Sequence, residues 1–238
     1  MVSLVIPVYN EEKIVRQTIE SVKIYMRENF TDIGYEVLFV NDGSKDNTLE
    51  IINELSDDNL KAITYEKNKG KGGAVRTGML AAKGDIIFYT DVDLAYGLDV
   101  IKQGYDIFEE NKETELIIGS RRKHKDGYAS YTLLRKIMSS VFYMILKIYG
   151  GLKQSDSQSG IKGFRKEISQ KIFSLCEING WSFDFEVLMI ADKLKVKVFE
   201  MPATIINHRE SKVNPIKDSI KMLKDISKIK KKVKKLKL

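Results

Sequence analysis

Short apolar strands alternate with helix-patterned segments, and each strand delivers the chain into a polar loop. No other feature limits this sequence so tightly. Residues 2–8 (VSLVIPV) and 35–40 (YEVLFV) are continuous apolar runs; residues 60–65 and 85–90 (DIIFYT) read the same way. Between them, residues 11–29 carry Ile14, Val15, Ile19, Val22 and Met26 at helical spacing. A second helix follows the turn NDGSKDN, capped by Ser44 or Asp46, and runs to about Leu55. A third spans roughly 73–82, and further on 99–111 reads as helix and 115–119 as strand. Strands apolar on both faces, separated by helices, predict an α/β fold with a mostly parallel sheet flanked by helices.

The chain has 238 residues, 43% of them hydrophobic, which suits one domain with a small appendage and excludes global disorder. The single cysteine, Cys176, excludes a disulfide framework and a cysteine-rich metal site, and suits a reducing compartment. Cys176 itself reads as a buried small hydrophobe. MVSLVIPVYN lacks the basic start and long apolar run of a signal peptide, and no run of about 18 apolar residues marks a membrane span. The apolar segment 132–149 holds Arg135, Lys136 and Lys147; a core position and an interfacial one are both open to it.

Charge is unevenly placed. Ten Lys and two Asp between Lys217 and Leu238 give +8 against a total of +7, so the rest of the chain sums to −1. Ile216, Ile220, Leu223, Ile226, Ile229, Val233 and Leu236 form one stripe on a helix whose other face is lysine. Such a helix suits an anionic membrane surface, and packing on its own domain is the other reading. The tail has no Arg and no aromatic, which argues against nucleic acid as a partner. The expected boundaries are 1–213 for the main domain and 214–238 for the tail; on the membrane reading, deleting 217–238 weakens binding to anionic vesicles and spares ligand binding.

Ligands of parallel sheets bind beyond the carboxyl ends of the strands, and that is where the unusual segments PVYNEE, NDGS and DVD stand. Asp91 and Asp93 follow the strand 85–90 at i and i+2, so both carboxylates can turn toward one hard cation such as Mg²⁺ or Mn²⁺. Asn10 and Glu11 suit a nucleoside loop or a plain turn. Asp42 suits a base or ribose contact, or an Asx turn with Gly43. NKGKGG at 68–73 has neither the P-loop order nor GxGxxG, yet Lys69 or Lys71 can face a diphosphate. His124 and His208 lack a metal-ligand spacing. Trp181 suits a core or interface wedge, or a stacking position near an acceptor sugar.

PVYNEE, VNDGSKDNT, NKGKGGAVRTGM and DVD, in this order and at these spacings, resemble family-2 glycosyltransferases with the GT-A fold. GSR at 119–121, SDSQSGIKGFR at 155–165, GWSFDFEVLMIA at 180–191, MPAT at 201–204 and SKV at 211–213 are similar to the polyprenyl-phosphate branch, which holds dolichyl-phosphate mannose synthases and β-glucosyltransferases. WSFDFEV leans toward the glucosyl members. The resemblance covers about residues 2–213.

The resemblance implies a GT-A fold built on a single Rossmann-like sheet, with a nucleoside held by Pro7, Val8, Tyr9, Glu11 and Asp42 and a diphosphate met by Lys71. Asp91, Val92 and Asp93 would bind the donor, and the two aspartates its metal. Some mannose synthases carry Gln two positions after the second aspartate; Ala95 stands there here, which leaves water or backbone for a further ligand. Arg121 and Arg135 match positions that meet an acceptor phosphate. Arg209 and Lys212 match a segment that closes over the diphosphate. The implied reaction inverts configuration and moves glucose or mannose from UDP-glucose or GDP-mannose to a polyprenyl phosphate. The implied place is the periphery of a cytoplasmic membrane face, reached through residues 216–238 or a separate membrane protein. A lipid phosphate has a second pKa near 6 and needs little help from a base. Transfer to a saccharide or protein hydroxyl is the alternative; it would require Asp156 or Asp184 as general base.

Overall fold

A computed structural model describes residues 1–128, 133–207 and 215–236, with all side chains but those of residues 134, 135, 137, 138 and 215–221. Arg209 and Lys212 lie outside the described residues, as does the side chain of Arg135.

Seven strands form one sheet: β1 (Val2–Val8), β2 (Tyr35–Asn41), β3 (Leu60–Thr64), β4 (Ile86–Tyr89), β5 (Leu116–Ser120), β6 (Lys162–Arg165) and β7 (Val198–Pro202), in the order β3-β2-β1-β4-β6-β5-β7. β3, β2, β1 and β4 pair in parallel, β7 pairs in parallel with β5, and β6 alone runs against its neighbours β4 and β5. The sheet is thus mostly parallel, with one reversed strand in its middle. β6 escapes sequence reading because it is only KGFR, four residues with a cation at each end. Being reversed, it begins where β4 and β5 end, so the loop before it reaches the same sheet edge as Asp91 and Arg121.

Side chains alternate across each strand. On β1, Val2, Leu4, Ile6 and Val8 enter one apolar layer and Val5 the other. The first layer is closed by α1 (Val15–Phe30), α2 (Thr48–Glu54) and α4 (Asp99–Glu110), and the second by α3 (Lys71–Ala81), α6 (Lys166–Leu175) and α7 (Phe183–Lys193). α1 buries Val15, Thr18, Ile19, Val22, Met26 and Phe30, at steps of three and four. It starts later than its apolar pattern suggests. Glu11 and Glu12 donate their amides to Thr48 Oγ1 and Asp46 Oδ2 instead of entering a helix.

α5 (Leu133–Ile145) continues into a π-helical turn, Leu146–Gly150. Phe142, Tyr143, Ile145 and Leu146 pack on the core, while Val141, Met144 and Ile148 are exposed. The segment is two-faced rather than buried all round.

α8 (Pro215–Lys235) holds the basic tail. Ile226, Ile229 and Val233 are buried in the second apolar layer, beside α7 and the π-turn. This part of the stripe packs on the protein's own core, because burying it there removes the same apolar surface from water; Leu223 is exposed, and the side chains of Ile216 and Ile220 lie outside the described residues. No helix among the described residues is long and apolar enough to cross a membrane.

Candidate active site

The loops after β1 and β2 are stitched together at the sheet edge. Asn10 adopts φ 52°; its amide donates to Ser44 Oγ and its side-chain Oδ1 accepts from the Lys45 amide. Pro7 and Val8 end β1, Tyr9 is exposed beyond them, and Glu11 is buried beside Thr48. The Asp42 carboxylate is buried and turned into the next loop. It accepts from the Tyr65 hydroxyl at 2.8 Å, the Lys69 amide at 2.7 Å and the Gly70 amide at 2.8 Å. Burial and this carboxylate together push the Tyr65 phenol up.

The glycine-rich loop uses its freedom against protein, not open space. Gly70 has φ 95°, and a Cβ on it would lie 2.6 Å from the Asn179 carbonyl oxygen. That carbonyl accepts from the Gly72 and Gly73 amides at 2.8 and 3.3 Å. With the amides of residues 69, 70, 72 and 73 taken by Asp42 and Asn179, the loop offers a ligand its lysine side chains, of which Lys69 lays its ammonium over the Tyr65 ring at 3.9 Å. Lys71 is the first residue of α3, and its ammonium stands 2.6 Å from Asp91 Oδ1 and over the Trp181 ring at 5.5 Å. Burial works to lower the Lys71 pKa, but attraction to Asp91 and Asp184 outweighs it and leaves it above the ordinary lysine value.

Asp91 and Asp93 leave β4 as the sequence predicts. Thr18 Oγ1 on α1 donates to the Val92 carbonyl at 2.8 Å, and Asp93 Oδ1 accepts from the Ala95 amide at 3.1 Å. Gly160 lies flush against them: a Cβ there would meet Asp91 Oδ2 at 2.3 Å. The loop 155–160 is therefore part of the site. Its Asp156 forms a two-pronged ion pair with Arg121, just past β5: Nε to Oδ2 at 2.6 Å and Nη2 to Oδ1 at 2.8 Å. Burial acts to raise the Asp156 pKa, but the Arg121 charge and hydrogen bonds hold it below the usual carboxylate value.

Beneath this edge lies a group that sequence reading did not find. Lys162, fully buried, starts β6 in register with Tyr89 of β4. Its ammonium donates to Asp184 Oδ1 at 2.5 Å and to the carbonyls of Ser157 and Ser159 at 3.0 and 2.9 Å. The Tyr89 hydroxyl donates to the same Asp184 oxygen. Burial and that carboxylate push the Tyr89 phenol far up. The one available signal was a lysine between apolar neighbours in GIKGF. Trp181 is half-exposed at the rim, and Cys176 is buried, as read. His124 Nδ1 accepts from the Asp126 amide and serves its own loop.

Among the described residues no cluster of three or more His, Cys, Asp and Glu offers a ready metal cage. Asp91 and Asp93 still suit a divalent ion. They supply hard oxygen donors at a partly open strand end, which fits Mg²⁺ or Mn²⁺ sharing its shell with phosphate and water. Lys71 already holds a positive charge against Asp91.

A parallel sheet with paired aspartates ending its fourth strand and one reversed strand beside it defines a GT-A glycosyltransferase. The Glycosyl transferase family 2 model matches residues 3–173. A dolichyl-phosphate beta-glucosyltransferase of Trichomonas vaginalis is 32% identical, covering 94% of this chain and 69% of that protein. The Saccharomyces cerevisiae dolichyl-phosphate beta-glucosyltransferase is 30% identical, covering 94% and 72%. Among solved structures, glucosyl-3-phosphoglycerate synthase from Mycobacterium tuberculosis, in complex with Mn²⁺, UDP and phosphoglyceric acid, matches with a TM-score of 0.70 at 16% identity, covering 100% of this chain and 80% of that one. The same synthase has also been solved with Mg²⁺ and UDP. The chain belongs to glycosyltransferase family 2 and is an enzyme of that family.

Proposed function

We propose that this enzyme transfers glucose from UDP-glucose to dolichyl phosphate or a closely similar polyprenyl phosphate, with inversion. The observation that carries the reading is the state of the two carboxylates a hydroxyl acceptor would need. Asp156 is held by Arg121 and Asp184 by Lys162, so both are committed to cations. A phosphate acceptor is largely dianionic at neutral pH and attacks without a base. The names of the relatives above support the same acceptor and sugar.

Pro7, Val8, Tyr9, Glu11 and Asp42 line the nucleoside end of the site in this reading, with Val92 beneath the donor. Lys71 meets the diphosphate, and Arg209 and Lys212 close over it. Asp91 and Asp93 would hold Mg²⁺ or Mn²⁺, which supplies positive charge for the departing nucleoside diphosphate. Arg121, with Arg135, orients the acceptor phosphate; Asp156 orients Arg121. Lys71 is poised to exchange its Asp91 contact for the diphosphate as charge develops there.

The enzyme works peripherally on the cytoplasmic face of a membrane, where its lipid acceptor lies. With Ile226, Ile229 and Val233 of α8 buried, the exposed Val141, Met144 and Ile148 and the exposed lysines of α8 provide the contact. A membrane-spanning protein partner would serve the same end.

The test is label transfer from UDP-glucose and from GDP-mannose, with and without dolichyl phosphate, in the wild type and Asp93→Ala. Lipid-dependent label from UDP-glucose, lost in the variant, is expected. Transfer to a hydroxyl acceptor without lipid would overturn the reading.

A further inference from the structure

The C-terminal helix reaches the glycine-rich loop through an unbroken series of polar contacts. Lys232 on α8 donates to Glu186 Oε1 at 2.9 Å, and also to the Leu175 carbonyl. Glu186 on α7 is fully buried. Its other oxygen, Oε2, accepts the amides of Glu177 and Ile178 at 2.9 and 2.8 Å. The next residue, Asn179, holds Gly72 and Gly73 through its carbonyl, and its Oδ1 accepts from Arg76 Nη2 of α3 at 3.0 Å. Arg76 Nη1 also donates to the Cys176 carbonyl at 2.7 Å. The segment 176–179 is thus gripped from one side by the tail helix and grips α3 on the other, and Lys71 opens α3.

We propose that Lys232 and Glu186 are positioning residues for the donor site: their ion pair, with its carboxylate fully buried and its ammonium partly so, sets segment 177–179, which sets the start of α3 and so the placement of Lys71 opposite Asp91. The basic tail is then part of the catalytic domain's donor apparatus, and not an appendage separable from it.

Two physical arguments support this. A buried carboxylate is held in one place when an opposite charge and two amides bind it together, and loosens when the charge is withdrawn. Backbone contacts at Gly72 leave no slack, since a Cβ there would meet the Ile178 carbonyl oxygen at 2.5 Å. A shift of segment 177–179 must therefore be passed on to α3.

The test compares Lys232→Met, Lys232→Arg and Lys230→Met in the full chain. Lys230 ties α8 to the Tyr149 carbonyl of the π-turn, so its variant loosens the helix without touching segment 177–179. Calorimetric titration with UDP and Mn²⁺ should show Lys232→Met weakened roughly tenfold. Lys232→Arg should be close to the wild type, and Lys230→Met unchanged even where its Tm falls. Equal loss of UDP affinity in Lys230→Met, or a lowered Tm with intact UDP affinity in Lys232→Met, would overturn the proposal. If Lys232→Met does not fold, Lys232→Gln, which keeps a donor but not the charge, is read by the same outcomes. The inference rests on the donor reading above only for its choice of UDP as probe. Amide exchange at residues 70–74 without nucleotide separates the two: it must quicken in Lys232→Met and not in Lys230→Met, and unchanged protection overturns the proposal whatever the donor.

Discussion

Lys162 and Asp184 meet at 2.5 Å beneath the loop that carries Asp91, with Lys162 fully buried and Tyr89 donating to the same carboxylate. The pair joins the floor of β4 and β6 to the start of α7. Through the carbonyls of Ser157 and Ser159 it also holds the loop that presents Asp156 to Arg121. The Arg121–Asp156 pair and the strand that leads to Asp91 thus share one buried anchor.

Removing one partner of that anchor leaves a charge buried without compensation. Asp184→Asn should destabilise the protein by about 3–5 kcal/mol, read as a lower urea midpoint. A variant with the wild-type midpoint would show that Lys162 finds another partner.

Asp91 and Asp93 should prove indispensable to transfer. Asp91→Asn should cost at least about 100-fold in kcat, measured as label moved to lipid, and a chelator should abolish transfer in the wild type.

Lys71→Met should move two affinities in opposite directions. Without the ammonium, Asp91 and Asp93 repel each other uncompensated, so Mn²⁺ alone should bind more tightly. UDP with Mn²⁺ should bind more weakly, by about 1 kcal/mol or more for one lost charge-assisted contact. Calorimetry of each ligand in turn checks both signs.

Acid stability should report the Arg121–Asp156 pair. Asp156 is held below its ordinary pKa in the folded state, so its contribution is present above the unfolded carboxylate value, about 4. It is lost as pH falls through the lower folded value. In Arg121→Met the guanidinium charge and its side-chain hydrogen bonds are gone, while burial, the amides of residues 121 and 158 and the Lys162 charge remain; the folded pKa therefore rises, and less stability is lost as pH falls through the carboxylate range. Urea midpoints across acid pH distinguish the two slopes.

The exposed apolar side chains of α5 and of the π-turn after it give a surface prediction. Met144→Glu with Ile148→Glu should weaken sedimentation with anionic vesicles while leaving Tm within a few degrees, because both side chains are exposed. Ile229→Glu should instead unfold the protein, since Ile229 lies in the core.

Much of this was legible locally. β1, β2 and β4 are largely apolar on both faces, and the loops that follow them carry Asn10, Asp42, Gly43, Asp91 and Asp93, so strand ends and chemistry coincided in the sequence. Asp91 and Asp93 needed only their spacing and the strand before them. Lys162 was hidden because a lysine in a four-residue strand has no periodic signature. The tail's stripe was visible, but what it would meet was not.

The sequence by itself therefore determined the segments that become β1 to β5 and α1 to α4, which loops carry carboxylates, and the family to which the chain belongs. These depend on neighbours a few residues apart. Only the tertiary structure decided which cation each carboxylate holds and which surface covers the tail. Arg121 finds Asp156, Lys162 finds Asp184 and Lys232 finds Glu186 across long stretches of chain. Such pairings are selected by the cost of burying a charge alone, a cost that arises only once the layers have packed.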